Sequence, residues 1–328
     1  LIKSSSFDEV SKVIDDALRL GSDNKMGYDY IADFEARFLK KARDPVTTGW
    51  ADIDEISKGG LGKGELGVVV APTGAGKSMV LVHLGAQALK AGKNVLHYTL
   101  ELGDTIVAGR YDAAITGVEL RNLAVFKEKI YDEIKEIPGK LIVKEYPTRS
   151  ANIQTIKNHV EKLKRRDFTP DMIIVDYGDL IRPENGGKDE KRHQLETIYE
   201  ELRGLAQICE CPLWTASQTN RSGLNAEVIT MESISEAFNK CFVADFIFTV
   251  SRTVEDKNNN TGRIFIAKNR NGPDGLVYPL FMDTSSVCIK VLSQTGETVN
   301  DIIQKSSKDR LEALKEKYKV FKKEGGKG

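Results

Sequence analysis

The segment Ala71-Pro72-Thr73-Gly74-Ala75-Gly76-Lys77-Ser78 holds two glycines, a lysine and a hydroxyl residue at the spacing that wraps a polyphosphate. The glycines let the main chain curl round phosphate oxygens. Successive N–H groups and the start of a following helix then bind the anions. Lys77 would put a point charge on the terminal phosphates, and Ser78 a hydroxyl on Mg²⁺. Ala71 stands where the strict pattern has glycine. The plain alternative is a chance glycine-rich turn, but an apolar run (Leu66–Ala71) precedes it and a helical pattern (Lys77–Lys90) follows, which is the context the chemistry needs. The expected nucleotide-binding residues are Thr73, Gly74, Ala75, Gly76, Lys77, Ser78 and Met79, and the expected ligands are ATP and Mg²⁺.

Three further positions could complete a hydrolytic site. Met172-Ile173-Ile174-Val175-Asp176 is an apolar run ending in an acid, and Asp176 could hold Mg²⁺ beside Ser78. Glu101 follows the run His97-Tyr98-Thr99-Leu100. A strand end beside the phosphate-loop strand would make it a general base; an ordinary surface glutamate fits the spacing equally well. Gln218 follows Trp214-Thr215-Ala216-Ser217 and could sense the terminal phosphate through hydrogen bonds, without moving protons. Lys268 and Arg270 lie one residue apart at a strand end, with no obvious acid partner in sequence, and Asn271-Gly272-Pro273 then turns the chain. On one face of a sheet, two such cations gain most from a polyanion between them.

These residues need a scaffold. Short apolar runs at 66–71, 94–100, 141–144, 172–176 and 212–217 alternate with helical patterns, which predicts an α/β fold with a mostly parallel sheet. Runs at 246–251, 263–268, 277–282 and 287–291 are expected to be antiparallel edge strands, joined by turns such as Asn258-Asn259-Asn260 and Gly272-Pro273-Asp274-Gly275. Residues 1–45 read as two short amphipathic helices, the first begun by a Ser6–Glu9 capping box with Phe7, Val10, Ile14 and Leu18 on one face. They would pack on their own body or on a neighbouring subunit. The expected boundaries are a helical linker or arm at 1–45, the ATPase domain at 46–305, and a charged C-terminal helix or tail at 306–328.

Composition narrows the classes. Lys plus Arg equals Asp plus Glu, 48 each in 328 residues, so any nucleic-acid contact must come from a local cluster of charge. The four cysteines (Cys209, Cys211, Cys241, Cys288) make no CxxC pair, which argues against a zinc site or a disulfide framework and fits a reducing cytoplasm. His83 and His97 lack ligand spacing and read as packing residues. No apolar run approaches the roughly 20 residues of a membrane helix, and no signal peptide is evident. The sequence begins with Leu1 and not Met, which fits an N-terminal part lying upstream.

Five motifs in order give a specific resemblance. Thr48-Gly49-Trp50-Ala51-Asp52-Ile53-Asp54 with Gly59-Gly60-Leu61, Thr99-Leu100-Glu101, Val175-Asp176-Tyr177, Ser217-Gln218-Thr219-Asn220-Arg221-Ser222, and above all Ile266-Ala267-Lys268-Asn269-Arg270-Asn271-Gly272-Pro273 resemble the C-terminal motor domain of DnaB-family replicative DNA helicases, including T4-like phage members. The similarity spans about residues 46–290. It implies a RecA-like P-loop ATPase core, Glu101 as catalytic base, Gln218 as sensor, and Lys268 and Arg270 reaching the ATP site of the adjacent subunit. It implies a homo-hexameric ring or spiral moving 5′ to 3′ on single-stranded DNA, with primase and a helicase loader as further partners, in a bacterial cytoplasm or a phage-infected cell. It also tips residues 1–45 toward an intersubunit arm. The ring-organising N-terminal domain of such helicases is not in this sequence. Gly178-Asp179-Leu180 departs from the family's usual Leu-Gln-Leu.

DNA contacts would come from the loops after the Asp176 and Gln218 strands: Arg182, Asn185, Gly187 and Lys188 in the first, and Arg221, Ser222, Gly223 and Asn225 in the second. Their Gly, Asn and basic residues suit backbone tracking without base readout; solvated surface loops are the alternative. Two other classes share the phosphate loop, Glu101 and Asp176: a recombinase-like or clock-type RecA-fold ATPase without unwinding activity, and a nucleotide-gated scaffold. The Lys268-x-Arg270 segment fits the helicases best, and a scaffold would not need Glu101 and Gln218.

Overall fold

Aliphatic runs without polar alternation, such as Leu66-Gly67-Val68-Val69-Val70-Ala71, must be covered on both faces. A computed structural model, which describes residues 10–14, 27, 29–35, 43–183, 191–219, 228–229 and 241–292, arranges them in that way. In chain order the elements are α1 (Ala51–Ile56), β1 (Leu66–Ala71), α2 (Lys77–Lys90), β2 (Val95–Thr99), α3 (Asp104–Thr116), α4 (Lys127–Ile134), β3 (Leu141–Glu145), α5 (Ile153–Lys164), β4 (Met172–Asp176), α6 (Lys191–Cys209), β5 (Leu213–Gln218), β6 (Phe246–Ser251), α7 (Val254–Asn258), β7 (Thr261–Asn269), β8 (Val277–Asp283) and β9 (Cys288–Val291).

One nine-stranded sheet has the order β3-β2-β4-β5-β1-β6-β7-β8-β9. Its first six strands run parallel, and β7, β8 and β9 continue it antiparallel. This is the expected mostly parallel sheet with an antiparallel edge. The phosphate-loop strand β1 lies in the middle, fully buried, between β5 and β6. One apolar layer packs α2 and α3 on one face through Leu84, Tyr111, Trp214 and Phe248. The other packs α5 and α6 on the opposite face through Tyr98, Ile156, Tyr199 and Leu202. Gly67 is required in β1, since a Cβ there would stand 2.4 Å from the Trp214 ring on β5.

The motif ahead of β1 is a clasp. Asp54 Oδ1 accepts from both the Thr48 amide and its hydroxyl, each at 2.8 Å. That holds Trp50 so that its ring stacks on His83 of α2 at 4.6 Å and its Nε1 donates to the Ile289 carbonyl of β9. The clasp thus ties the lead-in of β1 to a helix and to the far sheet edge.

One connection differs from expectation. Asn258-Asn259-Asn260 does not by itself join β6 to β7, because α7 intervenes. Thr253 and Asp256 form a reciprocal capping box (Asp256 N to Thr253 Oγ1 3.1 Å, Thr253 N to Asp256 Oδ2 2.9 Å), which starts a helix where a bare turn was expected. At the N-terminus, residues 10–14 are helical, and the Ser11 hydroxyl donates to Asn158 Oδ1 of α5 at 3.5 Å. Val13, Ile14, Tyr30, Ile31 and Phe34 are exposed. Ser6, Phe7, Glu9, Leu18 and residues 306–328 lie outside the described residues. No described helix is long and apolar enough to cross a membrane.

Candidate active site

β1 delivers its chain into the phosphate loop at the C-terminal end of the parallel strands. Gly74 and Gly76 take positive φ values of 74° and 100°, and Gly76 serves as the N-cap of α2. A Cβ on Gly76 would also meet Met282 Cε of β8 at 2.1 Å, so the loop is packed from beneath by the antiparallel edge. Thr73 and Gly74 are exposed, Ala75 is buried, and Gly76, Lys77, Ser78 and Met79 are half-buried. The Lys77 ammonium donates to the Ala71 and Pro72 carbonyls at 3.1 and 3.3 Å and faces the Tyr177 ring.

Asp176 ends β4 and is 1% exposed. Neither carboxylate oxygen has a hydrogen bond of good geometry. Burial pushes its pKa up to about 6, and nearby Glu101 adds to the rise, while the Ser78 hydroxyl, Arg110 and Lys77 pull it down. A buried carboxylate with free lone pairs, facing a serine hydroxyl, suits a hard divalent cation. Asp176 and Ser78 therefore fit Mg²⁺, which would supply charge neutralisation for phosphate oxygens. The described residues contain no cluster of three His, Cys, Asp or Glu side chains able to hold a metal, and all four cysteines are free.

Glu101 reaches this cluster by another route than expected. β2 is not beside β1; it pairs with β3 and β4, so two strands, β4 and β5, separate it from the phosphate loop. The end of β2 is instead locked to the end of β4, since the Leu100 amide donates to the Asp176 carbonyl at 2.8 Å. Glu101 is exposed, and its charge is felt by Asp176, Tyr177 and Arg110. Arg110 of α3 faces both acids, Asp176 and Glu101.

Gln218 ends β5, the strand between β4 and β1. Its Nε2 donates to Thr73 Oγ1 at 2.6 Å, directly on the phosphate loop. Its main-chain N–H points to Asp179 Oδ2 at 3.4 Å, and the buried Tyr199 hydroxyl donates to Asp179 Oδ1 at 2.8 Å. Asp179 belongs to the Gly178-Asp179-Leu180 segment that departs from the family pattern, and here it ties the turn after β4 to the end of β5.

Lys268 and Arg270 lie at the other end of the sheet. Antiparallel β7 pairs Asn269 with Phe246, the first residue of β6, so the Lys268–Arg270 segment sits beside the start of β1, not its end. Asn269 Nδ2 fixes the following turn by donating to the Ile56 and Pro273 carbonyls at 2.8 and 3.1 Å. The expectation of no acid partner is overturned. Arg270 Nη1 lies 3.0 Å from Asp245 Oδ1, a carboxylate also gripped by Arg203. The Lys268 ammonium is drawn aside, donating to the Phe242 carbonyl and lying over its ring. Burial lowers its pKa, and Arg270 and Arg203 lower it further.

Of the expected DNA residues, Arg182 is exposed, with its amide bonded to the Ala151 carbonyl at 2.9 Å. Asn185, Gly187, Lys188, Arg221, Ser222, Gly223 and Asn225 lie outside the described residues. Their parent strands β4 and β5 are adjacent, and both end on the phosphate-loop side. Sequence reasoning noted Asp179 only as part of a departure from the family pattern, and it missed Tyr199, Arg203 and Asp245, which no local motif marks. It also missed Lys257 of α7, whose ammonium lies 3.7 Å from where a Cβ on Gly74 would stand.

Comparison with known proteins bears on this arrangement. A family model described as the DnaB-like helicase C terminal domain matches residues 45–287. The DnaB-like replicative helicase of Enterobacteria phage T4 is 33% identical over 260 residues, covering 75% of this chain and 54% of that protein. The replicative DNA helicase DnaB of Geobacillus stearothermophilus is 25% identical over 249 residues, covering 72% and 54%. The chain thus spans about half the length of these curated relatives. Among solved structures, one described as an ATPase domain superposes with a TM-score of 0.67 at 17% identity, covering 82% of this chain and 100% of that one. A DnaB-like replicative helicase described with its interactions with primase gives 0.67 at 16%, covering 87% and 72%.

Proposed function

The chain belongs to the family of DnaB-like helicase C-terminal domains, and from that membership we propose that it is the ATP-hydrolysing motor of a replicative DNA helicase, driven along single-stranded DNA by hydrolysis between subunits. Lys77 and the loop amides bind the triphosphate, and Asp176 with Ser78 holds Mg²⁺. Glu101 takes a proton from the attacking water, and Gln218 senses the terminal phosphate through Thr73. Arg182, Asn185, Gly187, Lys188, Arg221, Ser222, Gly223 and Asn225 track the DNA backbone.

One observation carries the ring. The phosphate loop follows the end of β1, and Arg270 sits beside its start. Six strand residues separate the two by about 17 Å. An arginine so placed cannot meet its own subunit's triphosphate, but on leaving Asp245 it could meet a neighbour's. Residues 46–305 are then the motor, and 1–45 an arm laid on the next subunit. The exposed apolar residues Tyr30, Ile31 and Phe34 support an arm of this kind, and Ile106, Val125, Phe126 and Tyr131 on and beside α3 and α4 are exposed as well. Residues 306–328 would then be a charged C-terminal helix or tail. Six subunits in a ring or spiral, 5′ to 3′ movement, primase and loader as partners, and work in the cytoplasm of a bacterium or phage-infected cell complete the proposal.

Electron microscopy with single-stranded DNA and a non-hydrolysable ATP analogue tests it; six-membered rings or spirals on DNA are expected, and monomers on DNA would sink it. Subunit mixing tests the shared site. Arg270→Ala and Lys77→Ala should each be nearly inactive, yet regain partial ATPase activity when mixed and allowed to exchange.

A further inference from the structure

Asp245 stands just ahead of β6 with a side chain only 5% exposed, and four donors converge on it. Its Oδ2 accepts from the Leu66 amide at 3.0 Å and from Arg203 Nε at 3.1 Å. Its Oδ1 accepts from Arg203 Nη2 at 3.1 Å and lies 3.0 Å from Arg270 Nη1. Arg203 comes from α6 and grips both oxygens, while Arg270 comes from the end of β7 and touches one. The main chain fixes the same junction: the Asp245 amide donates to the Leu66 carbonyl at 2.8 Å, and the Arg270 amide to the Asp245 carbonyl at 3.0 Å. With Lys268 nearby, three cations surround a single carboxylate.

The two guanidinium groups are not equivalent. Arg270 is 45% exposed and held through one nitrogen, and Arg203 is 29% exposed and held through two. A buried carboxylate stripped of its counter-charge is costly, so a lone arginine partner could leave it only with difficulty. Here the carboxylate stays paired by a bidentate arginine and a main-chain N–H after Arg270 departs. We propose that Asp245 and Arg203 are positioning residues for Arg270. Asp245 holds Arg270 ready at the subunit edge, and Arg203 keeps Asp245 neutralised once Arg270 moves onto a neighbouring subunit's triphosphate. The inference rests on the shared-site reading above.

The two-charge design gives a suppressor test. In the full chain with saturating single-stranded DNA, Arg203→Gln leaves Asp245 dependent on Arg270 and traps it there. Its kcat for ATP should fall about tenfold, in proportion to the fraction of Arg270 still delivered, with KM for ATP unchanged. Adding Asp245→Asn removes the trap, and the double variant should recover part of the lost kcat, short of wild type because the neutral side chain no longer holds Arg270 ready; the asparagine oxygen still accepts the Leu66 N–H. A purely structural role also predicts a rescue, because the unpaired buried charge is gone, but one that tracks the melting temperature; the positioning role predicts the loss and the recovery of kcat at a temperature where all variants are fully folded. Melting temperatures check folding, and Arg203→Lys, which keeps a charge but not the two-pronged grip, should fall between wild type and Arg203→Gln. Wild-type kcat in Arg203→Gln, or no recovery in a folded double variant, overturns the inference. Arg270→Ala separates the failures: if it retains full turnover, the shared-site reading falls; if it is inactive while Arg203→Gln is normal, only the positioning role falls.

Discussion

Gln218 donates from Nε2 to the Thr73 hydroxyl at 2.6 Å, so the end of β5 is fastened to the phosphate loop at the end of β1. The same glutamine precedes Arg221 by three residues in sequence, so under the proposed function it would connect the nucleotide site to a DNA-contacting loop. Gln218→Ala should keep ATP affinity, because Lys77 and the loop amides remain. DNA-stimulated turnover should fall by about 10²- to 10³-fold, since a single positioned donor contributes on that scale. Steady-state ATPase assays with and without DNA check this; undiminished stimulation would rule out the link.

Glu101→Gln keeps the shape of the side chain and removes its basicity. Nucleotide binding should persist while turnover drops by roughly 10² to 10⁴, the usual contribution of a positioned base. Equilibrium binding of a fluorescent ATP analogue, paired with single-turnover hydrolysis, distinguishes the two effects. Hydrolysis at the wild-type rate would return Glu101 to the status of a surface residue.

Asp176 sets a conflict between stability and function. Its carboxylate is buried and its pKa raised to about 6, so without Mg²⁺ the ionised form weakens the fold at neutral pH. Asp176→Asn should melt higher than wild type in the presence of a chelator, lose the stabilisation that Mg²⁺ gives wild type, and hydrolyse almost no ATP. A lower melting temperature in chelator would contradict the burial argument.

DNA affinity should depend on salt and tolerate any sequence. On a single strand, log K falls by about 0.7 per phosphate neutralised for each tenfold rise in salt. Replacing Arg182, Lys188 and Arg221 with alanine should weaken binding and flatten that slope. Fluorescence anisotropy across a salt series reads both, and an unaltered slope would move the DNA path elsewhere.

His83 and His97 are buried neutral, with pKa values lowered by burial to about 4 and about 3. Their folded values lie below the ordinary 6.5. Their stabilising effect is therefore complete above about pH 6.5 and is lost as pH falls toward the folded values, by up to about 3 kcal/mol for His83. His83→Gln should make the acid side of the melting-temperature profile shallower than in wild type. Parallel profiles would mean that His83 is not the acid-labile group.

The central strands were legible because their apolar runs are unbroken and their ends carry chemistry. The bounds of β1, α2, β4 and β6 match those expected. The order of strands was less so: nothing in Thr99-Leu100-Glu101 says that β4 and β5 come between β2 and β1, because pairing is decided by crossover connections far apart in sequence. The contacts of Asp245 failed for the same reason. Its partners Arg203 and Arg270 lie 42 and 25 residues away in sequence, on elements that meet only when the sheet closes. Helix α7 was missed because a capping box of Thr253 and Asp256 looks, in sequence, like part of a polar turn.

The central place of β1 has a mechanical consequence. It is hydrogen-bonded along its length to β5 on one side and to β6 on the other. A load entering at the Leu66–Asp245 end and leaving through the phosphate loop runs along the strand, so both ladders bear it in shear and all their bonds share it at once. Load across the ladders would open them one at a time. The sheet therefore behaves as a stiff strut between the start of β1 and the phosphate loop.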